Sequence, residues 1–316
     1  MTARPLVSIG VPVYNGDRYL SDTITSLLAQ DLDNLEVIIS DNASTDDTES
    51  ICRDTQAADP RVRYHRMAEN RGAARNYNRV FEMSRGAFFT WAAHDDRRAP
   101  EHLSRCVQGF ENSDPSTVLV YPRAHFVDDR GHDLGPDADV MATDRTSAAG
   151  RLRDALWHVN MANAIFGLIR SSALRRTRLI GPFVASDYVL LAELAMLGPI
   201  VEIPDVLFRR RLHERSSREA TTSLQDVQRW FDPTQPRPGL STRQRLWIEY
   251  SRSAWRLSPS TRDRWLSLAS IPQVMLTRRA RITGGRWKQQ LTDSETLEPS
   301  DWRSAPSADR DTPRDA

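Results

Sequence analysis

Apolar positions in the first hundred residues alternate between two periods. Leu6-Val7-Ser8-Ile9-Gly10-Val11-Pro12-Val13 is a nearly continuous apolar run, as expected of a strand covered on both faces. Over residues 17–30 the apolar positions Leu20, Ile24, Leu27 and Leu28 share one helical face. Leu35-Glu36-Val37-Ile38-Ile39-Ser40 predicts a second strand, and Ser44-Thr45-Asp46-Asp47 opens a helix running to about residue 58. A third strand is predicted at 62–66, a helix after Asn70-Arg71-Gly72 running to residue 83, a fourth strand at 87–91 and a further helix at 100–110. Strand and helix repeat with short connections, which predicts an α/β fold: a doubly wound, mostly parallel sheet.

Later elements are more widely spaced. Strands are predicted at 117–121 and 124–127, with Asp128-Asp129-Arg130-Gly131 as a hairpin turn. Residues 132–150 are polar and rich in Asp, Gly and Ala, and predict a loop that orders over a ligand. A helix follows near 151–158, a strand near 165–169, a helix at 186–197 and a strand near 206–212. Thr234-Gln235-Pro236-Arg237-Pro238-Gly239 reads as a linker. Three regions result: a catalytic-type α/β domain over 1–215, a basic helical extension over 216–290, and a disordered acidic tail over 291–316.

Composition adds limits. The chain has 316 residues, is 27% charged and carries a net charge of +1, which points to no polyanionic partner. The average hides a local excess. Residues 240–290 hold eleven Lys/Arg against two acids, Glu249 and Asp263, with four of the eight tryptophans: Trp247, Trp255, Trp265 and Trp287. Leu246, Tyr250, Ala254 and Leu257 form one helical stripe there. Arginine draws anionic headgroups and tryptophan suits the bilayer interface. Peripheral membrane contact and a helical cap packed on the catalytic domain remain equal readings; nucleic acid does not account for the first 210 residues. Cys52 and Cys106 lack metal-ligand spacing and predict reduced core thiols. No cleavable leader and no run of about 18 apolar residues is seen, so a cytoplasmic location is expected.

In an open α/β sheet, ligands bind beyond the carboxyl ends of the strands. Those ends carry Pro12-Val13-Tyr14-Asn15-Gly16, Asp41-Asn42-Ala43-Ser44, Asn70-Arg71-Gly72 and His94-Asp95-Asp96. Two acidic ends, one arginine end and a polar turn suit a sugar nucleotide, which needs a base acceptor, ribose contacts and a cation for its diphosphate. The same four segments, in this order and spacing, resemble the family 2 glycosyltransferases, with the likeness covering roughly residues 5–215.

The resemblance implies a GT-A fold and residue roles. Asp41 would accept the imino N–H of a base, which favours UDP, dTDP or GDP donors because adenine and cytosine lack that proton. A turn cap is the blander role for Asp41. Pro12, Tyr14, Asn15 and Asn42 would line the base and ribose pocket, with Arg71 and Arg75 near phosphate at a helix start. Asp95 and Asp96 stand where the family binds Mg²⁺ or Mn²⁺, although Ala93 and His94 precede them where a further acid is common. His213, in Arg211-Leu212-His213, would add a metal or phosphate contact. Asp187 in Ser186-Asp187-Tyr188 would be the catalytic base of an inverting transfer to a saccharide or glycolipid acceptor, a cell-envelope precursor by family habit. A helix N-cap is the blander role for Asp187. A sugar-phosphate nucleotidyltransferase is disfavoured because Asn15-Gly16-Asp17-Arg18 is too short and not glycine-rich; a non-catalytic sugar-nucleotide binder stays open.

Overall fold

Strands β1 (Val7–Val13) and β2 (Leu35–Asp41) are buried along their whole length, so the sheet must be covered on both faces. Helices α1 (Leu20–Leu28), α2 (Thr48–Ala58) and α3 (Ala73–Glu82) supply that cover between β1, β2, β3 (Val62–Arg66) and β4 (Phe88–Trp91). Strand alternation divides the core into two layers. Val37 and Ile39 point with Ile9, Val11, Leu20 and Ile24 to one side; Ile38 points with Val80, Phe89 and Trp91 to the other. Gly10 permits the close seat of α3, since a Cβ there would lie 2.6 Å from Val80 Cγ2. All three ladders, β3–β2, β2–β1 and β1–β4, are parallel, as the strand–helix repeat predicts. The described residues are 4–137, 140–213, 224–234 and 239–283 of the computed structural model.

Beyond β4 the sheet is mixed. Its elements are β5 (Arg97–Arg98), α4 (His102–Glu111), β6 (Leu119–Val127), β7 (Asp133–Pro136), α5 (Ala148–His158), β8 (Leu168–Arg170), α6 (Ser171–Leu174), α7 (Ser186–Leu197) and β9 (Ile200–Arg211). The order is β3-β2-β1-β4-β8-β6-β9-β5, with β7 on β6. β8 runs antiparallel to both neighbours, and β9 runs parallel to β6. Three expectations change here. The two strands expected at 117–127 are one, because the ladder absorbs Pro122 at a register shift. β9 starts six residues before the expected 206, hidden in sequence by Glu202, Pro204 and Asp205. The expected loop at 132–150 holds β7, and Met141 is buried with its N–H donating to Tyr121 Oη at 2.6 Å. Thr143 pairs with Ile200; residues 138–139 lie outside the description.

Three helices follow: α8 (Leu224–Phe231), α9 (Thr242–Leu257) and α10 (Thr261–Thr283). The chain divides into two units, Met1–Val274 and Met275–Ala316. Ser241 and Gln244 close a capping box at the start of α9. Tyr250 and Ala254 of the predicted stripe are buried, and Leu246 and Leu257 are half-buried. Four residues of the expected linker, 235–238, lie outside the described residues, as do Trp287 and the expected tail at 291–316. No helix among the described residues is long and apolar enough to cross a membrane.

Charge fastens α9 to α7. Glu193 and Glu249 are fully or almost fully buried, and Arg178 serves both, with Arg178 Nε 2.6 Å from Glu193 Oε1. Arg256 adds a 2.8 Å contact to Glu193, and Arg245 a 2.9 Å contact to Glu249. Removing one partner of a buried ion pair leaves a charge in a medium that cannot solvate it. Arg178→Ala is therefore expected to destabilise the first unit by about 3 kcal/mol, because two carboxylates lose their shared cation. Urea unfolding measures this; a midpoint unchanged from the parent chain would show that the remaining arginines suffice.

Candidate active site

The carboxyl ends of the parallel strands are tied to one another by their own loops. Asn15 takes a left-handed backbone (φ 51°), a region Asn tolerates, and this turns the chain after β1. Its N–H donates to Ser44 Oγ at 2.9 Å, and its Oδ1 accepts from Thr45 N–H at 2.9 Å. The Gly16 N–H donates to Thr48 Oγ1 at 2.9 Å. Gly16 also faces the loop after β4: a Cβ on it would meet His94 Cδ2 at 2.7 Å. Loops after β1, β2 and β4 thus share one sheet edge.

Asp41 ends β2 with no solvent exposure. Its Oδ1 accepts from Ser44 N–H and its Oδ2 from Tyr64 Oη, both at 2.8 Å. The turn-capping role is therefore present; Arg66 Nε also lies 3.4 Å from Oδ2, so Oδ1 is the oxygen with a lone pair left for another donor. Asn42 bridges to the third loop: its Nδ2 donates to Asn70 Oδ1 at 2.8 Å, and its Oδ1 accepts the Arg71 N–H at 2.9 Å. Pro12 is buried within β1 opposite Ser40, whereas Tyr14 is exposed at the edge. Arg71 and Arg75 are exposed, paired with Glu69 at 2.9 Å and Glu82 at 2.7 Å. The structure brings Asn15, Asp41 and Asn42 into one bonded set; Arg75 turns along α3 toward its far end.

The end of β9 reaches the loop after β4. His213 Nε2 lies 2.8 Å from Asp95 Oδ2. Arg211 donates its backbone N–H to Asp96 Oδ1 at 2.9 Å and its Nε to the Asp95 carbonyl at 3.0 Å. The two neighbouring carboxylates therefore differ. Burial pushes the Asp95 pKa up, but the charge on His94 and the hydrogen bond from His213 outweigh it, leaving Asp95 below the ordinary aspartate range. Burial and then the charge on Asp95 raise Asp96 above it. Tyr19 packs under this pair, its ring 4.7 Å from the His213 ring and 4.6 Å from the Arg211 guanidinium carbon.

Asp187 lies in the first turn of α7, not at its cap. The cap position is Ala185, in a left-handed backbone (φ 64°), and no side chain caps the helix. Asp187 Oδ1 accepts the adjacent Tyr188 N–H, at 3.0 Å. Capping thus does not account for an aspartate there, and an alanine held at positive φ marks a backbone that packing has forced. Burial raises the Asp187 pKa, against the Tyr188 N–H and the positive charge of Arg210. Tyr77 on α3 is half-buried beside Trp91, its ring 6.4 Å from the indole. Burial raises its pKa, and the charges of Asp95 and Asp96 add to the rise.

Sequence reasoning did not select Arg210, Tyr77 or Tyr19. Arg210 donates to Asn163 Oδ1 and, at 3.2 Å, to the Met161 carbonyl. The signal for it was strand alternation: in Arg209-Arg210-Arg211 the middle side chain leaves by the opposite face from its neighbours. No comparable pattern exists for Tyr77 or Tyr19, whose roles depend on packing between distant segments. Among the described residues no three His, Cys, Asp or Glu side chains gather as a cation cage. The donor set that is present, one carboxylate and one imidazole in contact, is of a type that first-row divalent cations accept.

The model of the family described as "Glycosyl transferase family 2" matches residues 8–176. An uncharacterized glycosyltransferase of Rickettsia typhi is 33% identical over 133 residues, 42% of this chain and 41% of that one. One from Rickettsia prowazekii is 28% identical over 236 residues, covering 72% and 70%. The match with the first therefore spans well under half of that relative. Among solved structures, S. aureus TarS 1–349 with UDP-GlcNAc aligns with a TM-score of 0.53 at 14% identity, over 87% of this chain and 91% of that one. The Pyrobaculum calidifontis mannosyltransferase PcManGT with GDP-Man and Mn²⁺ aligns with a TM-score of 0.53 at 18% identity, over 93% and 85%. The fold is thus of the glycosyltransferase GT-A type, and with more than half its length matched by the model, the chain belongs to glycosyl transferase family 2.

Proposed function

We propose that this chain moves a sugar from a nucleoside-diphosphate donor to a hydroxyl acceptor with inversion at the anomeric carbon. The observation that carries the reading is the meeting of the β9 end with the loop after β4, where His213 Nε2 lies 2.8 Å from Asp95 Oδ2 and Arg211 holds Asp96, at the sheet edge where Asp41 closes β2. Asp41 would read the base, with Asn15 and Asn42 holding its loop; Pro12, Tyr14 and Arg71 border that pocket, and Arg75 stands further along α3. Asp187 would take the acceptor proton once the hydroxyl oxygen has begun to bond to carbon and become acidic. Its burial and raised pKa suit that task.

Asp95 and His213 fit a Mg²⁺ or Mn²⁺ ion, whose remaining positions donor phosphate oxygens and water would fill. Such an ion neutralises charge on a departing diphosphate. Asp96 braces the strand end through the Arg211 N–H instead of facing the ion. The two ligand-bearing neighbours, TarS with UDP-GlcNAc and PcManGT with GDP-Man and Mn²⁺, support a donor and cation of these classes. The acceptor is a saccharide or glycolipid, placed in cell-envelope synthesis by family resemblance.

A thermal-shift series over UDP, dTDP, GDP, ADP and CDP with Mn²⁺ tests the donor reading. A ligand at a hundred times its Kd adds about 2.7 kcal/mol of stability, so binding shows as a clear rise in melting temperature. UDP, dTDP or GDP is expected to stabilise and ADP and CDP not, with the rise lost in Asp41→Ala. Equal stabilisation by ADP would remove Asp41 as the base reader, and no rise with any nucleotide would sink the donor reading itself.

A further inference from the structure

The outward face of α9 and the start of α10 carry large apolar side chains that no described residue of the first unit covers fully. Trp247 and Trp255 are eight residues apart, on one stripe of α9 with Ser251 and half-buried Ile248. They are 52% and 60% exposed, while Glu249, Tyr250, Ser253 and Ala254 on the inward face are buried. Trp265 and Leu266 in the second turn of α10 are 64% and 50% exposed. The two groups meet at the helix corner: the Arg264 guanidinium carbon lies 4.7 Å over the Trp255 ring. The tryptophans therefore do not serve as packing for a cap; Tyr250, Ala254, Ile271 and Val274 do.

The charge around this face has one sign. Between residues 240 and 277 the acids are Glu249 and Asp263. Glu249 is buried and held by arginines, and Asp263 accepts from Ser260 Oγ at 2.7 Å. Arg243 and Arg262 are exposed and make no ion pair among the described residues; Arg252 and Arg256 are exposed with part of their charge spent on Glu249 and Glu193. Tryptophan settles at the headgroup level of a bilayer, and arginine beside it is drawn to anionic lipid.

We infer that Trp247, Trp255, Trp265 and Leu266, ringed by Arg243, Arg262 and Arg264, form a docking face for an anionic phospholipid surface. α9 is anchored through its opposite face by Arg178, Glu193 and Glu249, which leaves this face outward. The inference is independent of the transfer reaction, since it is read by binding to lipid alone.

The test is co-sedimentation of the full chain with phosphatidylcholine vesicles, with and without phosphatidylglycerol. The parent chain is expected to partition onto the anionic vesicles with a blue shift of tryptophan emission, and poorly onto neutral ones. Arg243→Gln with Arg262→Gln should weaken partition by roughly five-fold per arginine. The triple variant Trp247→Ser, Trp255→Ser, Trp265→Ser should lose both partition and blue shift, with its melting temperature and nucleotide binding kept. The arginine pair is a separate check should the triple variant fail to fold. Equal partition of the parent onto neutral vesicles, no partition at all, or unaltered partition in both variants overturns the inference. So does a concentration-dependent dimer, abolished by the triple substitution, in a parent chain that ignores lipid.

Discussion

Asp187→Asn is expected to lower kcat by about a hundred- to ten-thousand-fold while leaving donor binding unchanged, since that is the range a positioned general base contributes. Asparagine keeps the shape and the contact to the Tyr188 N–H but has no lone pair basic enough to take a proton. A base acts on the acceptor and not on the donor nucleotide, so the melting-temperature rise with nucleotide and Mn²⁺ should match the parent. The pH dependence separates this role from a structural one. Asp187 works only when ionised, and burial raises its pKa above the ordinary value of about 3.9. Activity should therefore fall as pH drops through that raised value, giving an acid limb that lies higher than a solvated aspartate would produce. Arg210 opposes the rise, so Arg210→Gln should move the limb to still higher pH. An Asp187→Asn chain that turns over within a few-fold of the parent, or an Arg210→Gln chain with an unmoved acid limb, would remove Asp187 as the base.

Much of this site was legible before any coordinates, for a reason that particular strands make plain. β1 and β2 are covered on both faces, so their sequences are apolar runs interrupted by little more than Ser8, Glu36 and Ser40, and they end at the polar residues Asn15 and Asp41. β9 is different. Between Ile200 and Phe208 none of its positions is buried, and it carries Pro204 and Asp205, so its first half reads as a loop. Met141 and Thr143 are fixed by partners 20 and 57 residues away, Tyr121 and Ile200, and local pattern holds no trace of such pairings. The same limit applies to roles. Asp95 and Asp96 are adjacent and alike in sequence; only the approach of Arg211 and His213 from the far end of β9 gives them different tasks. Likewise, Asp187 resembled a helix cap until its backbone showed that Ala185 occupies the cap position.

Substitution at those neighbouring aspartates should give the second large effect, and an unequal one. Asp95→Ala removes the carboxylate that meets His213, and with it half of the protein's donor set for a divalent ion. Loss of transfer should be at least about a hundred-fold, comparable to removing one group that stabilises charge on a leaving oxygen. The nucleotide-induced rise in melting temperature should also stop depending on Mn²⁺, a readout that needs no turnover. His213→Ala should act in the same direction. Asp96→Asn should be mild by comparison: burial already favours its neutral form, and an amide oxygen can still accept the Arg211 N–H. Chelation of the parent chain is then expected to abolish transfer, with recovery on adding Mn²⁺. Should Asp95→Ala keep a Mn²⁺-dependent thermal shift while Asp96→Asn loses it, the ion is held by the other carboxylate and the loop after β4 must turn over when donor binds. Should neither respond to Mn²⁺, charge on the diphosphate falls to arginines, and Arg210 and Arg71 become the side chains to replace next.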